Sequence, residues 1–143
     1  PISDHLDYTV YPLEGVWDLN EEGRKSFSGK INKDQLVYTL MIRQPDFINE
    51  AMANEYIEKA FIKKGDVLIE EVKFIQHQEG PSVQMLHVGS YESEKKSFGI
   101  MEEFASKNGW ERSSMIHREI YLSDFRKIEE AKLKTVLRFQ LKN

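Results

Sequence analysis

Met115-Ile-His-Arg-Glu-Ile-Tyr-Leu122 alternates with a strict period of two. Ile116, Arg118, Ile120 and Leu122 fall on one side; His117, Glu119, Tyr121 and Ser123 fall on the other. This is the pattern of a half-buried strand, and its isoleucine side is the expected core-packing face. Just downstream, Ser123-Asp124 begins a polar connection, and residues 135–141 form a last strand. Just upstream, Lys107-Asn108-Gly109 closes a helix that Ser93 or Ser97 can cap, with Ile100, Met101, Phe104 and Ala105 as its apolar stripe.

Further back, residues 72–75 and 82–88 read as two strands of a hairpin around the Glu79-Gly80-Pro81 turn. A longer helix starts at Pro45-Asp46, with Asp46 as the N-cap and Glu50 in the first turn. Ile48, Met52, Tyr56 and Ala60 recur every four residues, Phe47, Ala51, Ile57 and Phe61 widen the stripe, and Lys63-Lys64-Gly65 supplies cations and a left-handed cap. Residues 36–42 are a strand too apolar on both faces to lie on the surface. Residues 8–17 read as another, with Pro12 favouring an edge or bulge, and residues 18–33 as an exposed loop or loose hairpin connection. Strands and helices interleave without a regular parallel order. The predicted class is therefore α+β, a mostly antiparallel sheet with two main helices.

Composition limits the function classes. A length of 143 residues fits one domain, and 40% hydrophobic residues with eight Phe, six Tyr and two Trp suffice for a packed core. A net charge of −4 argues against a general nucleic-acid binder, which needs a basic face to displace counterions. No apolar run approaches the ~20 residues that span a bilayer, so no membrane partner is expected. The absence of cysteine excludes disulfides and thiol catalysis, and fits a cytoplasmic protein. The chain opens at Pro1 without Met or a signal-peptide pattern, as a processed or truncated piece would.

Most catalytic fingerprints are absent: no phosphate loop, no Gly-x-Gly-x-x-Gly, no Gly-x-Ser-x-Gly and no His-Glu-x-x-His. His5, His77, His87 and His117 lack the close pairing of a metal site, and neither metal nor cofactor is expected. The sharper signal is Glu119 between His117 and Tyr121. That face is either a solvated strand surface or the wall of a cavity that Trp17, Tyr38, Tyr91 and Trp110 could complete. A buried Glu among aromatics resists ionisation, binds a lipophilic cation well, and can act as general acid or base. Glu92 and Glu94 precede the second helix. They are either favourable charges at its N-terminus, or one of them faces Glu119 as the second half of a carboxylate pair.

Tyr11-Pro-Leu-Glu-Gly-Val-Trp17, Leu40-Met-Ile-Arg-Gln-Pro-Asp-Phe47, Leu86-His-Val-Gly-Ser-Tyr91 with Glu94, Glu119-Ile-Tyr-Leu-Ser-Asp124 and Lys132-Leu-Lys-Thr-Val-Leu-Arg138 together resemble the GyrI-like small-molecule-binding family. This family is related to the effector-binding domains of bacterial multidrug-sensing regulators. The resemblance runs from about Tyr8 to the C-terminus and implies a single domain over 1–143 with a duplicated βαββ fold around an amphipathic pocket. The second half would run through the strand at Ser82, the helix after Ser93, and the strands at Met115 and Thr135. The implied partner is a hydrophobic, often cationic small molecule, and the family's buried glutamate falls on Glu119. Members like this stand-alone form are implied to hydrolyse cyclopropane-bearing DNA-alkylating compounds. Glu119 would then be the principal acid or base and Glu94 its partner, with Tyr91, Trp17, Tyr38, Trp110 and Tyr121 shaping the pocket. The family name also suggests docking on a DNA-associated protein such as a topoisomerase.

Two loop positions depart from the family pattern: Ser90 and Phe125 stand where it commonly has Pro. The family's strand and helix upstream of Tyr8 are not in this chain, so the first half of the duplication is expected to be incomplete. The absence of a helix-turn-helix disfavours a complete transcription regulator. Oligomeric state has no signature in the sequence.

Overall fold

The computed structural model describes residues 7–28 and 32–143. They form two compact units, residues 7–10 with 44–78, and the described part of residues 11–43 with 79–143. In chain order the elements are β1 (Leu13–Leu19), α1 (Glu21–Lys25), β2 (Leu36–Ile42), α2 (Glu50–Lys64), β3 (Ser82–Val88), α3 (Glu94–Lys107), β4 (His117–Tyr121) and β5 (Lys134–Gln140). The strands make one five-stranded sheet in the order β2-β1-β4-β5-β3, with every neighbouring pair antiparallel. The α+β, antiparallel class expected from the sequence is the class adopted. β3, α3, β4 and β5 follow one another as a βαββ run, in which β5 pairs with both β4 and β3. Among the described residues, no helix is long and apolar enough to cross a membrane.

The smaller unit holds α2. Its N-cap is Asn49, whose side chain accepts from the Met52 N–H at 3.0 Å, and not Asp46 as expected. Pro45-Asp46-Phe47 is used up in a turn that the Ile48 N–H closes on the Pro45 carbonyl at 3.0 Å, so the helix starts one turn later. The C-terminus is as read: Gly65 takes φ 65°, and its N–H bonds the Phe61 carbonyl at 2.7 Å. Of the expected stripe, Ile48, Met52, Ile57, Ala60 and Phe61 are half-buried, whereas Phe47, Ala51 and Tyr56 are exposed. Asp66 then caps a 3-10 turn over Val67–Glu71, accepting from the Leu68 N–H at 3.0 Å.

Several strand readings are corrected. The expected strand over 8–17 begins only at Leu13, just past Pro12, which has no N–H to offer a ladder. The loop expected over 18–33 contains α1. Asn20 caps it by accepting from the Gly23 N–H, with Glu21 and Glu22 in the first turn and Arg24 and Lys25 in the last. Residues 72–75 form no strand, and β3 is a sheet edge bonded to β5 alone, so the hairpin around Gly80 does not form. β2 was expected to be buried; it is the other edge, with Tyr38 58% and Leu40 53% exposed.

The main correction concerns which face holds the core. Register partners across an antiparallel ladder project to the same side. Glu119 pairs with Leu137, Leu137 with Met85, and Phe139 with Val83. The buried cluster of Val83, Leu137 and Phe139, closed by Met101 and Ala105 of α3, is therefore on the Glu119 side. Of the supposed core face, Ile116 and Leu122 lie outside the ladder and are exposed. Its centre is Arg118, which forms ion pairs with Glu14 and Glu79 and places a guanidinium nitrogen 3.2 Å from Met41 Sδ. Arg138 adds a 2.8 Å bond to the second Glu79 oxygen. Burial pushes the Glu79 carboxyl up, but hydrogen bonds and charge from Arg138 and Arg118 outweigh it and hold it below the ordinary value.

This network yields a stability prediction. Arg118→Ala leaves Glu14 partly buried without its cation and Glu79 with Arg138 alone, and should cost ~3–5 kcal/mol in urea unfolding. The loss should be much smaller in a Glu14→Gln, Glu79→Gln background. Equal losses in the two backgrounds would show that Arg118 acts through packing alone.

Candidate functional site

β4 presents His117, Glu119 and Tyr121 to the face that α3 covers, and β1 lies beside it with Trp17 opposite His117 and Gly15 opposite Glu119. Glu119 is 8% exposed. Its Oε1 faces His117 Nε2 at 2.9 Å, and its Oε2 accepts from the Tyr121 hydroxyl at 2.7 Å. The Trp17 indole N–H donates to the same hydroxyl at 2.9 Å. A directed chain thus runs from Trp17 through Tyr121 to the carboxylate. Burial alone would push Glu119 up. Hydrogen bonds from His117 and Tyr121, the His117 charge and a bond from Glu94 outweigh it and hold it below the ordinary carboxylate range. Tyr121 is pushed up by burial and by its bond to, and the charge of, Glu119, so it stays a donor.

Glu94 opens α3 and is 7% exposed. Its Oε1 is fully buried and faces no protein donor. Burial, then the Glu119 charge and the hydrogen bond between the two carboxyls, push it up to about 9. A proton kept on Glu94 and shared with Glu119 makes this placement tolerable, since two adjacent carboxylates cannot both ionise. The two carboxyls are thus shifted in opposite directions, Glu94 up and Glu119 down.

Aromatic rings frame the pair. Trp17 and Tyr38, partners across β1 and β2, stack at 4.9 Å and 38°. Tyr91 meets Tyr121 edge-on at 6.1 Å, and Phe98 of α3 meets His117 at 4.8 Å. Burial, together with the charges of Glu119, Glu94 and Asp124, pushes the Tyr91 hydroxyl up. No group of three or more His, Asp or Glu side chains able to hold a metal occurs among the described residues.

The GyrI-like small molecule binding domain matches residues 4–142. The chain belongs to the GyrI-like family. A crystal structure of an uncharacterized conserved protein from Listeria innocua is 35% identical and superimposes with a TM-score of 0.85. Two further crystal structures, each described as a hydrolase from the same organism, are 32% and 35% identical with TM-scores of 0.82 and 0.83. In all three the match spans 99% of this chain and 68% of the other. No curated protein matches the chain.

In this GyrI-like domain Glu119, Glu94, His117, Tyr121, Trp17, Tyr38 and Tyr91 form one connected group. Trp110 stands apart: its ring packs against Phe104 at 5.8 Å, it is about half exposed, and no hydrogen bond or ring contact ties it to Glu119. Phe98 and Gly15 were not singled out from the sequence. Phe98 could have been, because Glu94, Phe98, Met101 and Ala105 are spaced as one helix face. Gly15 could not, since its role is a missing atom. A Cβ there would lie 2.8 Å from Trp17 Nε1 and 3.1 Å from the Tyr121 hydroxyl. Gly15→Ala should therefore part the Trp17–Tyr121 bond, shift Trp17 emission and cost ~1–3 kcal/mol in chemical unfolding.

The raised Glu94 value has a definite sign for stability. The folded chain keeps this proton after the unfolded chain has lost it, so Glu94 stability is lost as pH rises from the ordinary 4.5 to about 9. Glu119, held low, acts oppositely and loses its contribution as pH falls. Urea midpoints of Glu94→Gln should gain on wild type steadily across the Glu94 window. Parallel pH profiles would mean that Glu94 ionises normally.

Proposed function

We propose that this domain binds hydrophobic, preferentially cationic, drug-like molecules over the Glu119 group. The observation that carries the reading is a buried carboxylate held charged beside aromatic rings whose outer faces remain open, Tyr38 and Tyr91 being exposed. A lipophilic cation would gain from the Glu119 charge and from the ring faces together, while a neutral analogue would gain only from the rings. The chain has two Trp, so in a Trp110→Phe background Trp17 is the sole indole and reports on this site. Lipophilic cations should quench it saturably, and Glu119→Gln should weaken that binding by about tenfold or more. A flat titration across a panel of cationic and neutral aromatics would refute the reading.

A second reading, hydrolysis at the same group, is favoured by the split protonation of Glu94 and Glu119 and by the two structural relatives described as hydrolases. The fitting substrate is a cyclopropane conjugated with an electron acceptor, as in DNA-alkylating natural products. The water oxygen bonds to a ring carbon as the ring carbon–carbon bond breaks, and Glu119 takes the water proton. The electron pair passes to the acceptor oxygen, which takes the Glu94 proton; transfer from Glu119 to Glu94 restores the pair. Product analysis should show losses of roughly 10²-fold or more for Glu119→Gln and for Glu94→Gln. Turnover should be lost on the alkaline side as Glu94 gives up its proton, and on the acid side as Glu119 gains one. A Glu119→Gln protein as fast as wild type would eliminate this mechanism.

A further inference from the structure

His87 lies on β3, opposite Thr135 of β5, and is 4% exposed. Its Nε2 is 2.9 Å from the Ser90 carbonyl oxygen and 3.1 Å from Ser93 Oγ, and its Nδ1 is 2.7 Å from Ser97 Oγ. A carbonyl only accepts, so Nε2 carries a hydrogen, and in the neutral ring Nδ1 accepts from the Ser97 hydroxyl. One imidazole thus ties the turn before α3 to a residue three positions beyond Glu94 in the helix. Between Ser90 and Ser97 lie Tyr91 and Glu94.

The surroundings of this tie are close. Gly89 takes φ 131°, and a Cβ there would sit 3.1 Å from Ser93 Oγ and 3.7 Å from His87 Nε2. The Gly89 N–H is fixed on the Leu133 carbonyl at 2.9 Å, and Ser93 Oγ donates to the Ser90 carbonyl at 2.8 Å. Ser90 Oγ accepts from the Ser93 N–H at 3.2 Å and caps the turn that leads into α3, but Ser93 itself makes no capping bond to the helix. Yet this first turn carries a carboxyl that burial disfavours, and fraying would return it to water. Something must hold it in.

We infer that His87 is the positioning residue of the site: by bonding Ser90 and Ser97 at once it sets the start of α3 on the sheet, and so sets the contact of Glu94 with Glu119. The inference rests on the Glu94–Glu119 pair being the functional centre. His87 touches neither carboxylate and acts only through the turn and helix it holds. The titratable groups around Glu94 are Glu119 and Tyr121 of β4 and Tyr91 of the turn, with His117 behind Glu119.

The test is ¹³C-carboxyl NMR on the glutamate-labelled chain, read as a pH titration. Wild type should show one carboxyl titrating on the alkaline side, missing in Glu94→Gln. In His87→Phe, and in Ser97→Ala, which removes one bond from the other end, that titration should move down by at least about one pH unit, a tenfold change in proton affinity. Binding of a lipophilic cation to Trp17 should weaken alongside. His87→Gln, which can still donate to the Ser90 carbonyl, should recover part of the shift. If His87→Phe does not fold, Ser97→Ala decides. An alkaline carboxyl that stays in place in a folded variant overturns the positioning role and leaves the pair standing. No alkaline carboxyl in wild type overturns the pair, and the inference with it.

Discussion

A single negative charge on Glu119, placed on the same side of the sheet as the hydrophobic core, is the constraint around which the larger unit is built. An ion in such a place is costly unless its lone pairs are met. His117 and Tyr121, two residues away on either side, meet them from the same strand, and period-two geometry makes that possible without distorting β4. Trp17 then fixes the Tyr121 hydroxyl, and Tyr38 packs on Trp17. The arrangement spreads from one carboxylate over three neighbouring strands.

The same charge adds to the state of Glu94. Burial alone already pushes that carboxyl up, and the neighbouring carboxylate pushes it further in the same direction. The opposite face of the sheet solves a similar problem differently. There Arg118 and Arg138 pair with Glu14 and Glu79, so charges cancel within the network and no proton needs to be retained. One face is closed by two arginines against two glutamates, and the other holds its carboxylate with His117, Tyr121 and the Glu94 carboxyl.

The sequence made the polar strand face, the left-handed cap at Gly65 and the ends of α3 legible, because each depends on residues adjacent in the chain. It misassigned the core face. Ile116, Ile120 and Leu122 outnumber the apolar residues opposite, but two of them lie outside the ladder, and a hydrogen-bonded Glu can be buried where an unsatisfied one cannot. The buried face of α3 was hidden for the same reason: its first two turns present Glu94 and Ser97, which look like surface residues until His87 and Glu119 are set against them. The apolar run over 36–42 suggested burial, yet strand order is a long-range property and made it an edge. The pairing of Glu94 with Glu119 is one of two readings open in the sequence, because it depends on α3 lying over the Glu119 side of the sheet, where Phe98 meets His117.

Gly15 leaves room for both Trp17 Nε1 and the Tyr121 hydroxyl, although 104 positions separate the two bonded side chains in the chain. The three residues therefore form one steric unit. A Cβ at 15 is crowded as long as either ring remains, by Trp17 Nε1 at 2.8 Å or by the Tyr121 hydroxyl at 3.1 Å, so the position opens only when both are gone. After a side chain has filled that space, the Trp17–Tyr121 bond returns only with the glycine, however intact the two rings remain.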